Sequence, residues 1–209
     1  MTGIIDYNAG NIRSVELALA SLKADYIISK DPAKLEGVDN LIFPGVGEAR
    51  YAMEELRSTG FDSFLRDWAK AGKPLLGVCL GSQIIFDHSE EGDTPCLGIL
   101  PGIVRKFPSD FHAKGLKVPH MGWNSLSFRN GGSNLFADVP EGSDVYFVHS
   151  YYVEPVDPAW VSATVDYGFP VPAAVRRGSV EAFQFHPEKS GAWGLRMLKA
   201  FTLRGGLSC

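Results

Sequence analysis

Four short apolar runs alternate with amphipathic stretches over the first 80 residues, and this alternation restricts the fold more than any other property of the chain. Gly3-Ile4-Ile5-Asp6, Tyr26-Ile27-Ile28, Asn40-Leu41-Ile42-Phe43 and Pro74-Leu75-Leu76-Gly77-Val78 each read as a short buried strand. Between the first two, Ile12, Val15, Leu19 and Leu22 share one face at helical spacing, which predicts a helix from Asn11 to about Ala24. Two further helical stretches, roughly 48–58 and 61–71, separate the third run from the fourth. Strands joined through helices run parallel, so the chain is expected to be α/β, with a central, mainly parallel sheet flanked by helices.

Beyond residue 95 the pattern changes. Ile103-Val104-Arg105, Val145 to Val148, Val161 to Val165, Ala173 to Val175 and Ala182 to Phe185 read as short strands between Gly, Pro and Asp turns. A final helix is expected from about Ala192 to Leu203, with 204–209 a frayed tail. There is no internal repeat and no linker. The expectation is therefore one domain over 1–209, with β-rich additions in its second half.

Composition narrows the functional classes. Of 209 residues, 45% are hydrophobic and 21% charged, enough for a full core. The net charge of -4, with no long basic or acidic run, gives little support for nucleic acid or a membrane surface as partner. No apolar stretch reaches the roughly 18 residues needed to span a bilayer. The sequence enters its first strand without a basic, signal-like segment. Three cysteines (Cys79, Cys96 and Cys209) suggest neither a disulfide framework nor a zinc site, and a reducing cytosol is the expected compartment. No metal or cofactor is expected.

The fourth run leads into Gly77-Val78-Cys79-Leu80-Gly81, a thiol counterpart of the nucleophile elbow. A sharp strand-to-helix turn strains its central residue and leaves no room for side chains two positions away on either side. It lifts the sulfur above the carboxyl edge of the sheet, close to a helix N-terminus that favours thiolate. It also frees the Leu80 N–H for a developing oxyanion. A buried structural thiol is the competing reading, and on spacing alone the two stand level. A thiolate nucleophile needs a base and an orienter. Phe183-Gln184-Phe185-His186-Pro187-Glu188 ends a strand with an imidazole and a carboxylate two residues apart, giving Cys79, His186 and Glu188 the roles of nucleophile, general base and orienter. Taken alone, the segment also fits a strand-end turn with two solvated polar groups.

Pro44-Gly45-Val46-Gly47 follows another strand, so it too lies at the carboxyl edge where ligands collect. Its glycines let the Val46 peptide rotate, and an N–H that must turn before facing an oxyanion would act as a switch. An ordinary strand–helix turn is the alternative. His88 is expected late in the helix after Cys79, His112 in a solvated loop, and His120 and Trp123 in a loop-like stretch.

These segments together resemble the class I, triad-type glutamine amidotransferases. More narrowly, "IDYNAGNIRSV" (5–15), "FPGVGEA" (43–49), "VPHMGWN" (118–124), "FVHSYYV" (147–153) and "FHPEKS" (185–190) resemble the glutaminase subunits of imidazole glycerol phosphate synthases, over nearly the whole chain. The resemblance implies hydrolysis of glutamine to glutamate and ammonia through a thioester on Cys79, with His186 and Glu188 completing the triad. It implies an oxyanion site from Gly45, Val46, Gly47 and Leu80. It places Gln83 and the backbone of His149, Ser150 and Tyr151 around the amino-acid end of glutamine. It also implies a (β/α)8-barrel cyclase subunit as partner, met through Asn11, Trp123 and Lys189. Ser82 departs from the family's usual Met, which puts the packing behind the nucleophile in question. Three other readings remain: the glutaminase of another synthase, such as that of pyridoxal phosphate synthesis; a cysteine peptidase or other thiol hydrolase on a similar sheet; and a partner-binding module with a degenerate site.

Overall fold

The computed structural model describes residues 1–203. Its first half follows the expected alternation: β1 (Thr2–Ile5), α1 (Ile12–Ser21), β2 (Tyr26–Ser29), β3 (Asn40–Gly45), α2 (Ala49–Thr59), α3 (Phe61–Lys70), β4 (Leu75–Cys79) and α4 (Leu80–Ile84). The second half contributes β5 (His88–Ser89), β6 (Thr94–Pro95), β7 (Gly102–Lys106), β8 (His120–Ser125), β9 (Ser127–Phe128), β10 (Asp144–His149), β11 (Tyr151–Pro155), β12 (Val161–Asp166), β13 (Pro170–Arg177), β14 (Val180–Phe183) and α5 (Gly191–Thr202).

The main sheet has the order β2-β1-β3-β4-β14-β13-β12-β9. Its first five strands are parallel, and β13, β12 and β9 extend it antiparallel. Period-two alternation sorts the strand residues onto two apolar layers. Ile5, Leu41, Phe43 and Leu75 pack with Met53, Leu56, Leu65 and Trp68 of α2 and α3. Ile4, Ile42, Leu76 and Val78 pack on the other face with Val15 and Leu19 of α1 and Met197, Leu198 and Phe201 of α5. A four-stranded sheet, β11-β7-β5-β6, and the β10-β8 ribbon complete the second half.

Several expectations need correction. Helix α1 ends at Ser21, short of Ala24, and the chain turns at Lys23 with φ +53°. His88 is not in the helix after Cys79. That helix stops at Ile84 because the 97–100 segment captures its outgoing carbonyls: Leu97 N–H donates to Ile84 O, and Ile99 and Leu100 N–H to Ile85 O. His88 falls instead on β5. His120 and Trp123 are not in a loop but on β8, which pairs antiparallel with β10 from His120↔His149 to Ser125↔Asp144. Strand β14 ends at Phe183 rather than Phe185, and the chain then crosses toward β10, where the His186 N–H donates to Tyr146 O at 3.0 Å. The expected tail at 204–209, with Cys209, lies outside the described residues.

Candidate active site

The elbow at the end of β4 has the geometry its glycines imply. Cys79 sits at φ +55°, ψ −114°, a conformation that non-glycine residues rarely adopt and that persists only where surrounding packing enforces it. The enforcement is steric. A Cβ on Gly81 would collide with the Phe43 carbonyl, and one on Gly77 would come within 2.9 Å of the Gly81 carbonyl oxygen. Ser82 adds a buried bond, its Oγ donating to the Cys79 carbonyl at 2.6 Å. Leu80 is the first residue of α4, where a backbone N–H has no intrahelical acceptor.

The chain's crossing from β14 toward β10 brings His186 to this edge. Cys79 and His186 line one cavity of about 340 Å³. Glu188 Oε1 lies 2.8 Å from His186 Nδ1, with both side chains almost wholly buried. A carboxylate only accepts, so Nδ1 carries the proton of that bond and Nε2 is the nitrogen left for chemistry. Nε2 makes a hydrogen bond to none of the described residues. Burial alone would lower the imidazole pKa; the Cys79 sulfur and the Glu188 carboxylate outweigh it and leave it raised to about 9. The imidazolium is therefore the favoured form of this ring beside the Cys79 sulfur.

The cavity collects most of the other candidates. Val46, Gly47, Leu80, Gln83, His149, Ser150, Tyr151 and Lys189 all line it. Gln83 Nε2 donates to Tyr151 O at 3.0 Å and to Gln184 Oε1 at 2.8 Å, fixing the backbone that forms the wall. His149 is no second base. Its Nδ1 donates to Tyr151 O at 2.7 Å, leaving Nε2 to accept from His120 Nδ1 at 3.0 Å. Burial drives both rings down, His149 to about 3 and His120 to about 4, so both stay neutral near pH 7.

Gly45 does not line the cavity. It lies behind the elbow, where a Cβ would fall 2.5 Å from the Gly81 nitrogen. The Val46 N–H is engaged elsewhere, donating to Ala9 O at 3.3 Å. Gly47, at φ +93° with open space around its missing Cβ, leaves the next peptide free to turn.

Asn11 and Trp123 lie outside the cavity and Lys189 on its rim. Helix α1, which follows Asn11, and strand β10, the pairing partner of β8, both pack on the turn 187–189. Trp123 is exposed and meets the Tyr146 ring edge-on, and the Tyr146 carbonyl holds the His186 N–H. Met121, exposed on the same face of β8, was not singled out from the sequence.

Glu91 is the other residue the sequence concealed. It reaches the cavity wall from the loop after β5, and its Oε2 accepts from the Ala49 N–H at 2.9 Å. Burial raises its pKa, and that bond partly offsets the rise. No motif marks a glutamate in a four-residue turn between two-residue strands.

Comparison with known proteins agrees with this geometry. The class I glutamine amidotransferase family matches residues 4–204. The imidazole glycerol phosphate synthase subunit HisH of Geobacillus kaustophilus is 50% identical over 96% of this chain and 95% of its own length. Those of Halalkalibacterium halodurans and a Synechococcus strain are 48% and 45% identical, over 96% and 95% of this chain and 94% and 91% of their own lengths. Among solved structures, a glutamine amidotransferase superposes with a TM-score of 0.76 at 22% identity, each chain 99% covered. A putative GMP synthase subunit of Thermoplasma acidophilum gives 0.72 at 20% identity, covering 98% of this chain and 93% of that one, so these two speak for the fold alone. The strained thiol elbow, the family match over nearly every residue and relatives of near-half identity agree: the chain belongs to the class I glutamine amidotransferase family, in the group of the imidazole glycerol phosphate synthase subunits HisH.

Proposed function

We propose that the chain is the glutamine-hydrolysing subunit of an imidazole glycerol phosphate synthase, serving histidine biosynthesis, and that Cys79, His186 and Glu188 carry its chemistry. The observation that supports this most is the strained Cys79 elbow sharing one cavity with a His186 whose far nitrogen is tied to a buried carboxylate.

Each residue's part follows from its position. The Cys79 sulfur attacks the side-chain carboxamide carbon of glutamine and pushes the carbonyl electrons onto oxygen. The Leu80 N–H, joined by the Val46 N–H once it leaves Ala9, meets that oxyanion. His186 gives its Nε2 proton to the departing nitrogen, and ammonia leaves a glutamyl thioester on Cys79. The neutral imidazole then takes a proton from water as that water attacks the thioester, releasing glutamate and restoring the thiol. Glu188 holds the ring in the required tautomer and supports its charge. Glu91 faces the cavity as the acidic group suited to an α-ammonium, and Gln83 keeps the 149–151 wall in place for the carboxylate end.

The ammonia goes to a cyclase subunit of (β/α)8-barrel form, docked around Asn11, Trp123 and Lys189. Direct transfer matters because ammonia protonated in bulk water loses its nucleophilicity. The whole chain acts as one domain, working in the cytoplasm. Among the described residues no helix is long and apolar enough to cross a membrane. The test is a glutaminase assay with and without the cognate cyclase and its nucleotide ligand, wild type against Cys79→Ser. Ammonia release from wild type, stimulated by the complex and absent in the variant, supports the reading. Equal release from both would overturn it.

A further inference from the structure

We propose that Tyr7 is a positioning residue for the oxyanion site, its buried hydroxyl taking up the Gly45 carbonyl when the Gly45–Val46 peptide turns over. The inference rests on the glutaminase reading above. Tyr7 is fully enclosed and its ring packs on Phe43 at 5.3 Å between centroids. Its hydroxyl makes a hydrogen bond to none of the described residues. A buried donor without an acceptor is costly, and phenylalanine would fill the same space without that cost. The hydroxyl also lies against the segment that has to move, since a Cβ on Gly45 would fall 2.9 Å from it. Burial, and secondarily the Cys79 sulfur, hold the phenol far above its ordinary pKa, so it stays a neutral donor at every working pH.

The direction of the movement gives the hydroxyl its use. The Val46 N–H now donates to Ala9 O. Across a trans peptide the Gly45 carbonyl points the opposite way. Turning this peptide over frees the N–H for the oxyanion and swings the Gly45 carbonyl toward Ala9, where two carbonyl oxygens would face each other. The turned carbonyl then needs a donor, and the Tyr7 hydroxyl, beside Gly45 and bonded to none of the described residues, is the one assigned to it. The hydroxyl thus destabilises the arrangement in which it has no acceptor and stabilises the one that completes the oxyanion site.

The experiment compares wild type with Tyr7→Phe in the intact complex of this chain with its cyclase and nucleotide ligand. A lost neutral hydrogen bond corresponds to a fall in kcat of about five- to tenfold, with KM for glutamine unchanged. The thermal midpoint of the variant should equal or exceed that of wild type. Alkylation of Cys79 by iodoacetamide, which needs no oxyanion site, should proceed at the wild-type rate. An unchanged kcat overturns the proposal, as does a lowered thermal midpoint, which would mean the hydroxyl is already bonded in the resting protein. A parallel loss of alkylation rate also overturns it, by placing the effect on the thiol. Wild-type protein that releases no ammonia in the complex would instead sink the glutaminase reading, and this inference with it.

Discussion

Cys79 is held at positive φ by two glycines that cannot carry side chains and by one hydroxyl that closes the turn. Ser82 is the hydroxyl, and it answers the question raised by the absence of the family's usual Met: the residue bonds the nucleophile's own carbonyl instead of filling apolar space. Ser82→Ala should lower stability by about 1 kcal/mol in urea unfolding, the usual worth of a buried neutral hydrogen bond. Glu188 is the more demanding residue. With Gln at 188, the amide can donate to Nδ1 and leave the ring in the wrong tautomer. Glu188→Gln should cut kcat by roughly 10²- to 10⁴-fold with the fold intact by circular dichroism. A kcat within threefold of wild type would remove the carboxylate from the triad.

At the scale of elements, the oxyanion segment is crowded at Gly45 and open at Gly47. A proline at 45 would press its ring into the Gly81 nitrogen and Leu80, damaging the elbow itself. Gly47 has open space and φ +93°, so Gly47→Ala adds only backbone strain, about 1–2 kcal/mol. It should slow turnover severalfold while leaving iodoacetamide labelling of Cys79 unchanged, and equal turnover would show that the freedom at Gly47 plays no part in completing the oxyanion site. The elements that position Cys79 were readable from sequence because apolar runs of three to five residues between amphipathic helices have one economical arrangement. Cys79, His186 and Glu188 could be singled out because glycine spacing and His-Pro-Glu carry steric and chemical reasons of their own, and the structure places the first two on one cavity with the third on the imidazole. Strand β8 was not, since His120-Met121-Gly122-Trp123-Asn124 mixes glycine, polar and exposed apolar residues on a two-stranded ribbon with one face open. Strands β5 and β6, two residues each, are too short for any period to register, and with them went His88 and Glu91.

Across the whole molecule, three buried histidines set the pH range of stability in opposite senses. His186 has a folded pKa raised to about 9 from an ordinary 6.5, so its contribution is complete below about pH 6.5 and lost as pH rises through 9. His120 and His149 are lowered to about 4 and 3, so theirs is complete above about pH 6.5 and lost as pH falls through those values. Denaturant midpoints should therefore peak near pH 6.5. Glu188→Gln should make the alkaline limb shallower without removing it, because the Cys79 sulfur also raises the ring, and an unaltered limb would assign that limb to other groups. The same turn that carries Glu188 carries Lys189 on the cavity rim, and Trp123 is exposed on β8, so under the proposed docking the partner would meet the turn that holds the carboxylate. Trp123→Ala should weaken cyclase binding by at least tenfold in titration calorimetry, as expected for an aromatic anchor. The decisive measurement is peptide mass spectrometry of the complex, acid-quenched during glutamine turnover. A glutamyl adduct on the peptide bearing Cys79, missing from Cys79→Ser, is the predicted result. Ammonia release with an adduct elsewhere, or with none at any quench time, would contradict the assignment.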